Sequence, residues 1–284
     1  MENPFDAVLP SYARVRPGYP ADAVDLLLAA AGAATESGPP RVADIGAGTG
    51  KMTELLLARG CRVDAVEPSA SMRAQLRAAA LVPGRGTGSR TAGGGGLLDE
   101  GGAGLTIRAT TAEATGLDDA SVDLVVYAQS WHWVDAGLAG AEAARILAPG
   151  GAIAAVWNQM DVSDPWVRRL TRIMRSGDVH RVDDPPAFGP AFTAPRLHQV
   201  RWTDRMTRAE LMDLGTTRSS YLRQDAAGRA RMQENLRWYL WDHPGARDHM
   251  LTGEHGMTGD HVRLAIPYTT LVWTAAQVQA RSGR

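Results

Sequence analysis

Short apolar runs alternate with amphipathic stretches through the first 158 residues. "YPADAVDLLLAAAGA" spaces Val24, Leu27 and Leu28 as one helical face behind Pro20, which predicts a helix opened by proline. "RVADIGAG" predicts a short strand ending in glycines, and "KMTELLLARG" a helix closed by Gly60. "CRVDAVEP" and "SASMRAQLRAAA" predict the next strand and helix. "LTIRAT" and the stronger "SVDLVVYAQS" continue as strands. "DAGLAGAEAARIL" then reads as a helix stopped at Pro149, Gly150 and Gly151, and "AIAAVWN" as a fifth strand. Strands apolar on both faces, separated by amphipathic helices, imply a parallel sheet covered on both sides. Residues 20–158 therefore read as one doubly wound α/β domain, with residues 1–19 as an N-terminal covering segment.

Two stretches break the alternation. Ten of the 22 residues from Pro83 to Gly104 are glycine, which no packed core could use, so residues 83–104 read as a disordered insertion between a helix and a strand. Beyond Asn158 the order changes. "DPWVRRLTRIMRS" is helical, residues 177–196 are loop-like and "LHQVRWTDRM" is strand-like. "TRAELMDLGTTRSSYLRQ" and "AAGRARMQENLRWYLWDH" are helical, and "HVRLAIPYTTLVWTAAQV" closes as a strand. Residues 159–284 are expected to complete the sheet edge and to lay a helical cover over its crevice. The whole is thus a doubly wound, Rossmann-like, mostly parallel sheet of seven strands with helices on both faces. No internal repeat is visible.

Composition narrows the partners. The chain has 284 residues and a net charge of −1, so it has no general attraction for nucleic acid or anionic membrane. Lys51 is its one lysine among 30 basic residues, and Cys61 its one cysteine, which excludes an internal disulfide and a cysteine metal cluster. No apolar run reaches the ~18 residues of a membrane span. "MENPFDAVLP" is acidic and broken by proline, unlike a signal peptide, so a cytoplasmic protein is expected.

The chemistry centres on "VADIGAGTGKMTEL". In an open α/β sheet, ligands bind beyond the carboxyl ends of the strands, where Gly46, Gly48 and Gly50 lie. A P-loop would need glycine at Ile45 and a hydroxyl at Met52, so that reading fails. A dinucleotide loop needs its third glycine at Lys51. The pattern is instead G-x-G-x-G after a strand that carries Asp44. An acidic group there opposes a pyrophosphate and suits an ammonium or sulfonium. Glu67 ends the second strand 23 residues later, and its two carboxylate oxygens can accept both hydroxyls of a ribose.

These features, with "VADIGAGTGKMT", "VEPSASM", "TAEATGLDDASVDLVVYAQSWHWVD" and "LAPGGAIAAVWN" in order, resemble the class I S-adenosylmethionine-dependent methyltransferases. The chain looks most like the small-molecule branch that includes the ubiquinone/menaquinone and trans-aconitate enzymes. "YARVRPGYP", "RSSYL" and "IPYTTLVW" are similar to one subgroup. The resemblance implies S-adenosyl-L-methionine as cofactor and assigns roles. Gly46, Ala47, Gly48, Thr49 and Gly50 would line the methionine and ribose, with Asp44 orienting the loop. Glu67 would take the ribose hydroxyls, and Pro68 and Met72 would pack near the adenine. Thr111, Ala112 and Glu113 would flank the adenine edge, although Thr111 stands where many relatives carry Asp. Gln129 and Ser130 would lie beneath the methionine, and Tyr12 and Arg16 would close over the cofactor.

On the acceptor side, Trp131, His132 and Trp133 follow the fourth strand, where the methyl group should emerge. Aromatic faces there can exclude water. His132 is the candidate general base, against the reading that it only shapes the pocket. Arg218 and Tyr221 are candidate lid residues. Arg168, Arg172 and Arg175 share one helical face, read as solvated. "DDPPAF" resembles an N-methyltransferase motif but lies past the fourth strand, with Ala187 at the aromatic position, and is rejected. Metal ligands at recognised spacings are absent. The expected activity is methyl transfer to a small-molecule acceptor by in-line displacement, with no nucleic acid or membrane partner. RNA or protein methylation with the same cofactor, a nicotinamide-dependent oxidoreductase, and a cofactor-binding partner without turnover remain the alternatives.

Overall fold

The computed structural model describes residues 14–32, 38–80, 104–175, 180–251 and 262–278. The glycine-rich stretch read as an insertion lies outside them apart from Gly104, and so does Tyr12. In chain order the elements begin with α1 (Ala21–Ala30), β1 (Arg41–Ile45), α2 (Lys51–Ala58), β2 (Arg62–Val66) and α3 (Ala70–Ala80). They continue with β3 (Leu105–Arg108), β4 (Val122–Ala128), α4 (Ala136–Ile146), β5 (Leu147–Met160) and α5 (Pro165–Ile173). The last are β6 (Arg196–Thr207), α6 (Arg208–Thr216), α7 (Ser219–Leu222), α8 (Ala226–Trp241) and β7 (Arg263–Ala276).

The seven strands form one sheet in the order β3-β2-β1-β4-β5-β7-β6. The pairs within β3-β2-β1-β4-β5 are parallel, and β7 runs antiparallel to both β5 and β6. Alternate residues of the central strands supply two cores. Ala43, Ile45, Val125, Tyr127, Ile153 and Ala155 pack with Ala139, Ala143 and Ile146 of α4. Val42, Val63, Leu124, Val126 and Ala154 pack on the opposite face with Val24 and Leu27 of α1, Met52 and Leu56 of α2 and Leu76 of α3. Both sets must be apolar because both faces are covered, which is why these strands show no hydrophobic–polar alternation.

The order reverses between β1 and β4, so their connections leave to opposite faces and open a crevice at their carboxyl ends. β7 and β6 run past the end of β5, since Tyr268 pairs with Met160 while Thr207 still pairs with Arg263. Around that overhang α5, α6 and α8 build a third core from Val167, Leu170, Leu214, Leu236, Leu264 and Ile266. The helical cover thus stands at the end of the sheet that holds the crevice.

Two elements differ from the pattern-based expectation. The fifth strand starts at Leu147, because Leu147 pairs with Val122 before residues 148–151 bulge out and Ala152 pairs with Leu124. The helix expected across "TRAELMDLGTTRSSYLRQ" is broken at Thr217 and Arg218. There Thr216 Oγ1 donates to the Asp213 carbonyl and Thr217 Oγ1 to the Leu214 carbonyl, both at 2.7 Å, capturing acceptors that a continuing helix would use.

Candidate active site

A cavity of about 600 Å³ opens at the carboxyl ends of β1, β2 and β4. Its floor is the glycine loop. Gly46 and Ala47 donate their amides to the Val66 carbonyl at 2.8 and 3.1 Å, so the loop bends over the end of β2. Gly46 has φ +70°, and a Cβ on it would lie 2.6 Å from Ser130 Cβ. Ser130 Oγ in turn donates to the Ile45 carbonyl at 2.5 Å, fixing the ends of β1 and β4 together. A side chain at position 46 would force that seam apart.

Glu67 reaches back into the loop. Its Oε2 accepts the Gly48 amide and its Oε1 the Ser69 amide, both at 2.8 Å, and the residue is only 7% exposed. Each carboxylate oxygen thus holds one backbone amide, one from the loop and one from the turn after β2. Asp44 lies fully buried behind the loop and outside the cavity lining. Its Oδ2 accepts Thr53 Oγ1 at 2.6 Å, and its Oδ1 has no hydrogen-bond partner among the described residues. Burial pushes its carboxyl up to about 6. The Thr53 hydrogen bonds oppose that rise and the neighbouring Glu67 charge adds to it. Asp44 thus grips the first turn of α2 rather than the loop amides.

Most of the other candidates meet at this cavity. Ala47, Gly48, Thr49, Pro68 and Met72 line it beside Gly46 and Glu67, and Thr111, Ala112 and Glu113 form its rim. Glu113 Oε1 accepts the Asp135 amide at 3.1 Å, joining that rim to the start of α4. Gln129 and Ser130 lie beneath, Gln129 with φ +60° and its Nε2 donating to the Asn158 carbonyl at 3.2 Å. Arg16 covers the opening, its Nη2 donating to the Thr217 carbonyl at 2.7 Å. Gly50 stands apart, behind the loop as the N-cap of α2.

The structure does not bring His132 to this wall. It is exposed, on the short 3-10 turn Trp131–Trp133, and its Nδ1 accepts the Trp157 indole N–H at 3.3 Å. That contact engages the Nδ1 lone pair. Trp133 lines the cavity instead, while Trp131 is buried edge-on against Tyr127 and Phe188. Of the two lid candidates Arg218 lines the cavity, whereas Tyr221 holds Gln233 Nε2 at 2.7 Å and sits under Arg229.

Sequence reading missed Tyr19, Asn158 and Tyr268, which form the far wall. Asn158 had a usable signal, since it ends an apolar strand on the ligand side of the sheet. Its Nδ2 donates to the Gly18 carbonyl at 2.6 Å and its Oδ1 accepts Thr270 Oγ1 at 2.7 Å. Tyr268 is 2% exposed, and its Oη has no hydrogen-bond partner among the described residues. Burial pushes its hydroxyl up to about 12, against the positive charges of Arg218 and Arg16, so it stays protonated and can only donate into the cavity or accept from it. Lys51, the first residue of α2, also lines the cavity. Among the described residues no group of three or more His, Cys, Asp or Glu side chains could hold a metal.

A Methyltransferase domain family matches residues 43–155, the span from β1 into β5 that builds this floor. An uncharacterized methyltransferase of Mycobacterium tuberculosis is 39% identical over 268 residues, covering 94% of this chain and 93% of the relative. The chain belongs to the class I S-adenosylmethionine-dependent methyltransferases. A shorter match, 33% identical over 99 residues, links this methyltransferase to 39% of an uncharacterized methyltransferase of Schizosaccharomyces pombe. Two solved structures share the fold. A candidate type II methyltransferase of Anaeromyxobacter dehalogenans has TM-score 0.57 at 22% identity, over 91% of this chain and 97% of that one. The YcgJ protein of Bacillus subtilis has TM-score 0.50 at 18% identity, over 91% and 99%. Among the described residues no helix of the methyltransferase is long and apolar enough to cross a membrane.

Proposed function

We propose that this methyltransferase uses S-adenosylmethionine, bound in the glycine-loop cavity, to methylate a small-molecule acceptor. The observation that carries this reading is the Glu67 carboxylate on the Gly48 amide. In a phosphate-binding loop that amide would face the ligand. Here it is taken by an anion, with buried Asp44 close enough for the Glu67 charge to be felt. A phosphate placed ~4 Å from Glu67 would meet repulsion on the order of 4 kcal/mol near a protein surface. A sulfonium nucleoside carries no phosphate and meets none of it.

The residues present fit such a cofactor. Glu67 brings to the cavity a carboxylate, the acceptor that ribose hydroxyls require, and the unpartnered Tyr268 hydroxyl, with Arg16 and Arg218 on the same cavity, offers donors to a carboxylate. The wall mixes cations at Arg16, Lys51 and Arg218 with anions at Glu67 and Glu113, as a zwitterion requires. When bound, the cofactor supplies a methyl group on a cationic sulfur with a neutral thioether as leaving group. The protein's part is placement. Gly46 and Ser130 set the depth of the floor, Arg16 ties the N-terminal segment to Thr217 across the opening, and Trp133 excludes water from one side. Holding two reactants at attack distance supplies roughly 7–11 kcal/mol in well-oriented cases.

A second cavity of about 230 Å³ adjoins the first and shares Asn158 and Arg218 with it. Gln159, Thr171, His180 and Gln199 give it polar walls, and its size supports a small acceptor. His180, stacked on Trp157 at 4.4 Å, is the imidazole on that side and takes the proton of a hydroxyl or amine acceptor in this reading. The test is transfer from methyl-labelled cofactor into a host metabolite extract divided by molecular mass. Label should enter the low-mass fraction. Label confined to RNA or protein would overturn the small-molecule reading.

A further inference from the structure

A large groove lies away from this chemistry. It runs between α5 and α8 and encloses about 780 Å³. Arg168, Arg169 and Arg172 of α5, Arg175 just beyond it, and Arg231 of α8 line it, with no Asp or Glu among the lining residues. It shares no residue with the cofactor cavity or the cavity adjoining it. Proteins normally neutralise clustered cations or spread them over a convex surface. Here five exposed arginines line one concavity in a chain whose net charge is −1.

Two of the five are engaged. Arg168 Nε donates to the Val162 carbonyl at 2.8 Å, and the Arg169 guanidinium lies over the Trp238 and Tyr239 rings. The guanidiniums of Arg172, Arg175 and Arg231 have no hydrogen bond, ion pair or ring contact among the described residues. Arg175 adds a conformational observation. It follows the helix end at φ +48°, where glycine is the usual residue, yet it carries a long cationic side chain into the lining. The solvated arginine face expected from the sequence is therefore one wall of a built groove, with Arg231 on the other.

We propose that this groove binds a small polyphosphate. Arginines on α5, just past its C-terminal end and on α8 line the same groove, and the planar fork of a guanidinium matches a tetrahedral oxyanion two bonds at a time. A concave surface lined by charge of one sign also concentrates anions. A volume of about 780 Å³ accommodates one small molecule. Pro165, Ile173 and Met232 supply apolar contact for an attached organic group, so a nucleotide and a bare phosphate chain share the recognised chemistry.

The test is calorimetric titration of the full chain with sodium tripolyphosphate at about 150 mM salt, where loosely placed surface charges are largely screened. The expected result is saturable binding of one molecule. Affinity should fall at least about ten-fold in Arg172→Gln/Arg231→Gln, the loss of charge-assisted hydrogen bonds. The ligand-free thermal midpoint of that variant should be unchanged or raised, because mutual repulsion is removed. Arg175→Gln alone should weaken binding with the rest of the groove intact. A parallel titration with adenosine triphosphate separates the sources: tighter binding than tripolyphosphate indicates a nucleotide, and equal binding indicates the phosphate chain. Absence of binding at this salt, or binding undiminished in both variants, would overturn the proposal.

Discussion

Replacing Asp44 by asparagine should change how stability depends on pH, and the size of the change follows from where Asp44 sits. The carboxyl is fully buried, and burial raises it from 3.8 to about 6 in the folded chain. A raised acid gives stability that is fully present below its unfolded value and is lost as pH rises through its folded value. The wild type should therefore lose stability between about pH 4 and pH 6 through this group. A rise of that size corresponds to about 3 kcal/mol. The asparagine of the variant cannot ionise, so that loss should be missing from it. The assay is urea denaturation followed by tryptophan fluorescence from pH 4 to 8. The stability difference between the two proteins should move by about 3 kcal/mol in the variant's favour as pH rises. Any fixed cost of the substitution, such as a weaker bond from Thr53, shifts the whole curve without changing its slope. Glu67→Gln removes the nearby negative charge and should narrow the pH-dependent part. A difference independent of pH would refute the reasoning.

Four further outcomes are expected. Glu67→Ala should weaken S-adenosylmethionine binding by about 1–3 kcal/mol through lost charge-assisted hydrogen bonds, and unchanged calorimetric affinity in a folded variant would remove its ribose role. Gly46→Ala should destabilise the fold by about 1–3 kcal/mol, because its Cβ meets Ser130 Cβ at 2.6 Å at a positive φ. Combining it with Ser130→Gly should recover part of that loss in the same denaturation assay. Glu142 is held down to about 2, chiefly by its hydrogen bonds from Arg145 and also by those from Thr115, against the effect of burial. It stabilises the fold above about pH 4.5 and loses that effect as pH falls towards 2, so Glu142→Gln should flatten acid unfolding in that window. His132→Ala should keep most of the turnover while His180→Ala loses it, since of the two only His180 lines the smaller cavity proposed for the acceptor; equal losses in a kinetic assay would return the base to His132.

The sheet was legible because burial on both faces writes itself as short, largely apolar runs such as Leu124 to Tyr127. The crevice was legible for a related reason, since the glycine loop and Glu67 end neighbouring parallel strands. The break after Thr216 was hidden, because it depends on two threonine hydroxyls turning back on Asp213 and Leu214. Tyr268 was hidden for a longer-range reason: only the antiparallel pairing of β7 with the last residue of β5, Met160, carries it to a loop more than 200 residues earlier. His132 drew attention by following β4, but its ring direction is set by Trp157 on β5, a contact no local pattern encodes. The arginine face of α5 was visible as spacing, whereas its concavity needed Arg231 from α8.

The most direct measurement is a pair of calorimetric titrations of the same folded protein, one with S-adenosylhomocysteine and one with NAD. Saturable binding of one S-adenosylhomocysteine is expected, weakened in Glu67→Ala, together with no saturable binding of NAD. Binding of NAD alone would contradict the claim that Glu67 reserves the glycine loop for a nucleoside without phosphate.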